Sequence, residues 1–278
     1  MKIEKINKDI FANVLHNYYE STRKNNFAVW KHKALVLDKD TENFYIPEKN
    51  CYYSIYNNKM LLSYITYDDK CHVPIDILNK LDCIMMLADI FDKIKDKLIG
   101  FSANYGYKLH YDYSYIPIVD TGRYSAVDFD FSDEQHYIQA CNMINQEENG
   151  DWFMPDNIRK IVQQYKEHSV FSPDLLFFAK DNFENKLVGI TISSFDKKIS
   201  ETDIDWFFIL PQFHGKGAGR FLIAETVNRS KERSKSIRTG GTNEFYKKCG
   251  FIEKDCEVWA TKEGFEFIAS CVQPNVLP

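Results

Sequence analysis

Three glycines at alternate positions, Gly215, Gly217 and Gly219, have the spacing in this chain that most directly implies chemistry. They follow a strand-like run over residues 203–210 that ends on Pro211. They precede a helix-like run with Phe221, Leu222, Ala224 and Val227 set among Glu225, Asn228 and Arg229. Without Cβ atoms, such glycines let the backbone turn tightly and approach a ligand closely. The unbonded N–H groups of the following helical turn, aided by the helix dipole, favour an anion there, and a diphosphate is the natural occupant. Local charge agrees. Between His214 and Arg238 seven cations stand against two acids, a net +5 in a chain that is −5 overall. A dinucleotide fingerprint would need glycine at position 220, where Arg220 stands, and a Walker loop would need Ser or Thr after Gly215-Lys216, where Gly217 stands. What remains is Gln-x-x-Gly-x-Gly/Ala, read on Gln212, Gly215 and Gly217, with a plain strand-to-helix turn as the alternative.

This segment resembles the acetyl-CoA pyrophosphate loop of the GNAT superfamily of N-acetyltransferases. A second stretch, Tyr246-Lys247-Lys248-Cys249-Gly250-Phe251, looks like that family's Tyr-x-x-x-Gly-Phe. The resemblance covers about residues 125–278 in element order. It implies that Phe208, Ile209 and Leu210 offer backbone to a pantetheine arm. It further implies that Gln212, Phe213, His214, Gly215, Lys216, Gly217, Ala218, Gly219 and Arg220 form the diphosphate loop, with acetyl-CoA as co-substrate and no metal. Two positions depart from the family pattern. His214 stands where arginine is frequent, so a cation at neutral pH is not guaranteed. Thr239 stands where asparagine is common, and Asn243, four residues on, either takes over that cofactor contact or caps a helix.

Acyl transfer to an amine needs a neutral amine, a polarised carbonyl and a stabilised thiolate. A tyrosine of pKa ~10 gives its proton to a thiolate of pKa ~8.5 only at a cost of roughly 2 kcal/mol. Tyr246, which the resemblance puts at the sulfur, is therefore better suited to donating a hydrogen bond to developing thiolate charge. Strand alternation puts Glu201, Asp203 and Asp205 on one face, in phase with Phe207 and Ile209. Asp203 best matches the place where GNAT enzymes often carry a proton-accepting carboxylate, with Asp205 and Glu201 behind it. Like charges on one face would raise each other's pKa and attract a cationic acceptor. A solvated strand end is the alternative. Cys249 and Cys256 lie close by in sequence, but no His–Cys pairing supports a thiol nucleophile.

The elements that must position these residues read as two similar series. Helices are expected near residues 9–22, 132–145 and 155–168, with Ser132 as N-cap and Pro155 in a first turn. Hairpins are expected at 51–56 with 60–67, and at 175–179 with 187–192. Gly106-Tyr107 echoes Gly250-Phe251 at the head of a strand. A diverged tandem repeat follows: an α/β (α+β) chain whose residues 123–278 form a GNAT fold, a mixed central sheet flanked by helices. Residues 1–122 form a second, smaller and degenerate GNAT-like domain, without a glycine loop and with Ser102 where Tyr246 recurs. Two unrelated α/β domains are the alternative. Leu78, Leu81, Ile84, Met85, Leu87, Ala88, Phe91 and Ile94 fit one buried helix face.

The 278 residues suit two modest domains, and 44% hydrophobic with 27% charged residues is an ordinary globular balance. A pI near 5.8 counts against a general nucleic-acid binder. No membrane span or signal peptide is expected. Seven cysteines without CxxC or zinc-finger spacing suit reduced thiols in a cytoplasmic protein. The expected activity is N-acetyl transfer to a primary amine of a small molecule, the acidic strand hinting at a polycation; an oligomer is possible. A CoA-binding sensor or scaffold without turnover is the other class, separable by thiol release with a panel of amines. A nucleotide-binding enzyme would instead show a larger thermal shift with ATP or NAD than with CoA.

Overall fold

The structure is a computed structural model, and it describes residues 1–22, 29–115, 122–147, 153–240 and 244–265. The first half runs β1 (Glu4–Ile6), α1 (Lys8–Thr22), α2 (Val29–Leu37), β2 (Thr41–Ile46), β3 (Cys51–Tyr56), β4 (Met60–Ile65), α3 (Ile75–Leu78), β5 (Cys83–Leu87), α4 (Ala88–Phe91) and β6 (Phe101–Tyr111). The second half begins with β7 (Tyr124–Asp128), α5 (Glu134–Glu147), α6 (Pro155–Glu167), β8 (Leu176–Asp181) and β9 (Lys186–Asp196). It continues through β10 (Glu201–Ile209), α7 (Ala218–Ser230), β11 (Ser236–Gly240), α8 (Glu244–Lys248) and β12 (Phe251–Lys262). Both hairpins and all three long helices read from the sequence are present.

Two compact units form: Met1–Lys108 with the described stretch 253–265, and Leu109–Ile252. The single cut expected at 122/123 differs from this division, which falls at 108/109 and again at 252/253. The reason is β12, which pairs antiparallel with β5 from Glu257↔Leu87 to Thr261↔Cys83 and so folds with the first unit. Strand order in that unit is β1-β2-β3-β4-β5-β12-β6.

In the second unit the order is β6-β11-β10-β9-β8-β7. Strands β7 to β10 form an antiparallel meander, and β11 joins β10 in parallel after the α7 crossover. Helix α6 buries Ile158, Ile161, Val162 and Tyr165, the spacing of one helical stripe, and Pro155 opens it at the first helical position. Helix α5 is capped by Asp133, whose carboxylate accepts the Gln135 N–H at 2.9 Å. Ser132, the expected cap, instead gives its hydroxyl to Asp130 at 2.7 Å.

The eight apolar residues singled out between Leu78 and Ile94 are buried apart from Leu87, as expected, but they do not form one helix. Helix α3 ends at Leu78, residues 83–87 form β5, and α4 is a single turn. Strand β5 lies between β4 and β12, covered on both faces, so it shows no alternation and its apolar run mimics a helix face. Gly106 falls inside β6 rather than at its head, whereas Phe251 does open β12. Among the described residues no helix is long and apolar enough to cross a membrane.

Candidate functional site

Strand β10 carries the site because it breaks its own alternation. Its pairing with β9 shifts between Ile204↔Ser193 and Trp206↔Ile192, which makes Asp205 the extra residue of a β-bulge. Side chains before and after the bulge therefore change faces. Ile204 packs with Ile223 and Val227 of α7, and Phe207, three residues on, joins the same cluster. The other face belongs to α6 and the residues before it: Tyr165 gives its hydroxyl to Asp205, and the Trp206 ring lies 5.4 Å from that of Phe153. The bulge is also where the parallel pair opens. The β10–β11 register runs from Glu201↔Ser236 to Ile204↔Thr239, and β10 continues to Ile209 beyond it.

Beyond that opening lies a cavity of about 670 Å³, lined by Phe207 and Ile209, by Phe213, His214, Gly215, Lys216, Gly217, Gly219 and Arg220, and by Phe245, Tyr246 and Lys248. Gly217 is the N-cap of α7 at φ 98°, a left-handed conformation that glycine adopts freely, and it has no side chain to cap the helix. The amides at the start of α7 are thus available to a ligand in the cavity. Tyr124 donates its hydroxyl to the Lys216 carbonyl at 2.9 Å, which ties the loop to β7. The His214 Nε2 lies 3.0 Å from the Ile209 carbonyl; a carbonyl only accepts, so this nitrogen carries the proton. That bond holds the loop against the end of β10.

The cations of this cavity differ from those elsewhere. Arg123, Arg159, Arg229, Arg233 and Arg238 each form an ion pair with a carboxylate. Among the described residues no such pair forms at Arg220, Lys216 or Lys248. Three cations and a helix N-terminus around one hollow give it a positive field that suits an anion.

Tyr246 stands on α8 against the opening. Its ring centroid is 5.9 Å from that of Phe207 and 5.6 Å from that of Phe251. Burial raises its pKa above the ordinary tyrosine value, partly offset by a side-chain hydrogen bond with Thr239. Thr239, which stands where asparagine is common in the resembled family, donates its hydroxyl to the Ile204 carbonyl at 3.3 Å, the last pair of the parallel register. Cys249 is buried and its thiol is pushed up to about 11 by that burial, so no thiolate is available there at neutral pH.

The three carboxylates do not form the like-charged patch expected of them. Glu201 is buried and paired with Arg238, equally buried, at 3.5 Å. Asp205 accepts the hydroxyls of Tyr165 and Ser194, the latter at 2.9 Å. Burial first, then the charges of Asp205 and Asp203, push the Tyr165 hydroxyl well above its ordinary value and keep it a donor. Because the bulge intervenes, Asp203 and Asp205 lie on the α6 face and not in phase with Phe207 and Ile209, contrary to strict alternation.

Residues 172–253 match the family model described as the acetyltransferase (GNAT) domain. That segment is a GNAT domain. Solved structures match nearly the whole chain. A GCN5-related N-acetyltransferase from Sphaerobacter thermophilus has TM-score 0.64 at 10% identity, covering 96% of this chain and 97% of its own. A GNAT-family acetyltransferase from Colwellia psychrerythraea also gives 0.64 at 10% identity, covering 95% and 100%. A tandem GNAT protein from the clavulanic acid biosynthesis pathway gives 0.57 at 10% identity, covering 96% and 99%. At these identities the likeness establishes the fold: a mixed central sheet flanked by helices, with GNAT-fold coverage extending through the first half. No curated protein matches the chain in sequence.

Within the GNAT domain the cavity gathers most of the residues singled out from the sequence: Ile209, Phe213, His214, Gly215, Lys216, Gly217, Gly219, Arg220 and Tyr246. Four others are near it in sequence but do not line it. Gln212 is exposed, and Ala218 is buried under the first turn of α7. Leu210 gives its N–H to the Val188 carbonyl, while Phe208 shares the Trp206 face. Asn243 lies outside the described residues. Sequence reasoning missed Phe207, Phe245, Lys248 and Tyr124. Strict alternation puts Phe207 on the carboxylate face, and a bulge leaves no local signature in β10 that would correct it. Phe245 and Lys248 flank Tyr246 in its motif and could have been read from it.

Proposed function

We propose that the GNAT domain is an N-acetyltransferase that moves an acetyl group from acetyl-CoA to a primary amine by direct attack. The observation that carries this reading is the cavity at the start of α7, where backbone amides, Lys216 and Arg220 face a hollow lined, among the described residues, by no carboxylate. A diphosphate suits that charge and shape. The backbone of β10 beyond Ile204, freed from β11, is available to the amides of a pantetheine arm.

Under this proposal the thioester sulfur lies near Tyr246. Burial makes that hydroxyl a weaker acid than ordinary tyrosine, which suits hydrogen-bond donation to developing thiolate charge rather than full proton transfer. The acceptor enters from the α6 face, opposite the cavity. Tyr165 and Ser194 stabilise the charged form of Asp205, so this carboxylate holds and orients a cationic amine. Asp203, beside it, takes the amine proton through water. Glu201 is excluded from that role by its ion pair with Arg238.

Calorimetry with CoA, followed by thiol release from acetyl-CoA with a panel of amines, tests the proposal. Saturable CoA binding with turnover on at least one amine is expected. Absence of CoA affinity overturns the reading outright. CoA binding without turnover on any amine replaces it with a sensor or scaffold.

A further inference from the structure

The cavity holds more positive charge than a diphosphate requires. Lys216 and Arg220 stand with the α7 N-terminus on one wall, which already matches the roughly two negative charges of a diphosphate diester. Lys248 reaches the same hollow from α8, beyond Phe245 and Tyr246. Its neighbour Lys247 is paired with Glu244 at 3.2 Å, yet no such pair forms at Lys248 among the described residues. The stem of Lys248 is well anchored: its carbonyl accepts the Tyr115 hydroxyl at 2.9 Å, and the following Cys249 N–H bonds to the Phe245 and Tyr246 carbonyls. An anchored cation that reaches the same hollow from α8, an element separate from the glycine loop, suits a second anionic group on the ligand.

Resting on the donor assignment above, we infer that Lys248 recognises a phosphomonoester on the donor's ribose, so that the site selects coenzyme A over its 3′-dephosphorylated form. A phosphomonoester carries about −1.5 to −2 charge at neutral pH, the most concentrated anion on that molecule. An ammonium meets it as a point charge without the planar fit that arginine requires. Two molecules that share diphosphate, pantetheine and adenine are then distinguished by one residue outside the glycine loop.

The test is calorimetry on the full chain with CoA and with dephospho-CoA, for the wild type and for Lys248→Met. The wild type is expected to prefer CoA by about tenfold, a gap that shrinks when salt is raised to about 0.5 M because the contact is exposed. Lys248→Met should weaken CoA by about tenfold and leave dephospho-CoA within about twofold. The side chain is exposed, and an unchanged melting temperature shows that the variant folds. Equal binding of both molecules by the wild type overturns the inference. Equal weakening of both by Lys248→Met also overturns it, by making Lys248 a diphosphate contact. Either result leaves the donor assignment standing, whereas failure of the wild type to bind both molecules removes that assignment itself.

Discussion

The loop after β4 and the loop after β10 occupy the same place in their units and meet opposite fates. Each follows the strand of an antiparallel hairpin that next pairs in parallel, β4 with β5 at Met60↔Cys83 and Leu61↔Ile84, β10 with β11 as far as Ile204↔Thr239. After β10 the loop is glycine-rich, leaves its amides facing a cavity and opens a thirteen-residue helix. After β4 the loop supplies its own anion. The Asp68 carboxylate accepts the Thr66 hydroxyl at 2.7 Å, the His72 ring at 2.9 Å and the Lys70 N–H at 3.3 Å. Tyr64 closes the loop by accepting the His72 N–H at 2.8 Å and donating to the Lys70 carbonyl. The helix that follows, α3, is one turn long and has little dipole to offer. A carboxylate of the chain thus organises the loop after β4, whereas the loop after β10 borders an open cavity.

This contrast can be broken experimentally. Gly217→Val forces a β-branched residue into a left-handed conformation at the α7 N-cap. Donor affinity should fall at least about 100-fold by calorimetry, as the amides of the first turn lose their alignment. Asp68→Ala, by contrast, should leave donor affinity within about twofold. A comparable loss there would mean that the first unit also binds the donor.

Tyr246→Phe removes one hydrogen bond to developing charge. It should lower kcat by about 10- to 100-fold while donor affinity stays within about twofold, measured by thiol release and calorimetry. Arg220→Met should weaken donor binding by about tenfold at low ionic strength and by less at high, since the cation stands at an open cavity.

The smallest effect sharpens the contrast from the other side. The hydrogen bond from Thr66, then that from His72, lower the Asp68 carboxyl from 3.8 to about 2. A depressed carboxylate adds stability that is present above its unfolded value and lost as pH falls through its folded value. The melting temperature of the wild type should therefore exceed that of Asp68→Asn by a few degrees at neutral pH. That difference should close between about pH 4 and pH 2. A difference that persists at pH 2 would mean that the carboxylate's charge is not what holds this loop.

Much of the second unit was legible because its signals are local. The glycine spacing, Pro155 at a helix start and the stripe Ile158, Ile161, Val162 and Tyr165 each act within one or two turns of chain, and the structure realises them as read. The errors share the opposite character. Ser132 and Asp133 both had cap chemistry, and only the folded geometry of residues 130–136 chose between them. Strand β5 reads as helix in the sequence because β12, which covers one of its edges, comes from a distant part of the chain.

Residue order alone settled that a tight glycine turn precedes an amphipathic helix and that a tyrosine stands four residues before Gly250, because torsional preference and short-range spacing suffice for both. Tertiary pairing decided which face Asp203 and Asp205 take, that β12 returns to the first unit, and that Lys248 joins Arg220 around one hollow. Those outcomes depend on register and on contacts between residues far apart in the chain, where a one-residue bulge at Asp205 carries more weight than any local preference.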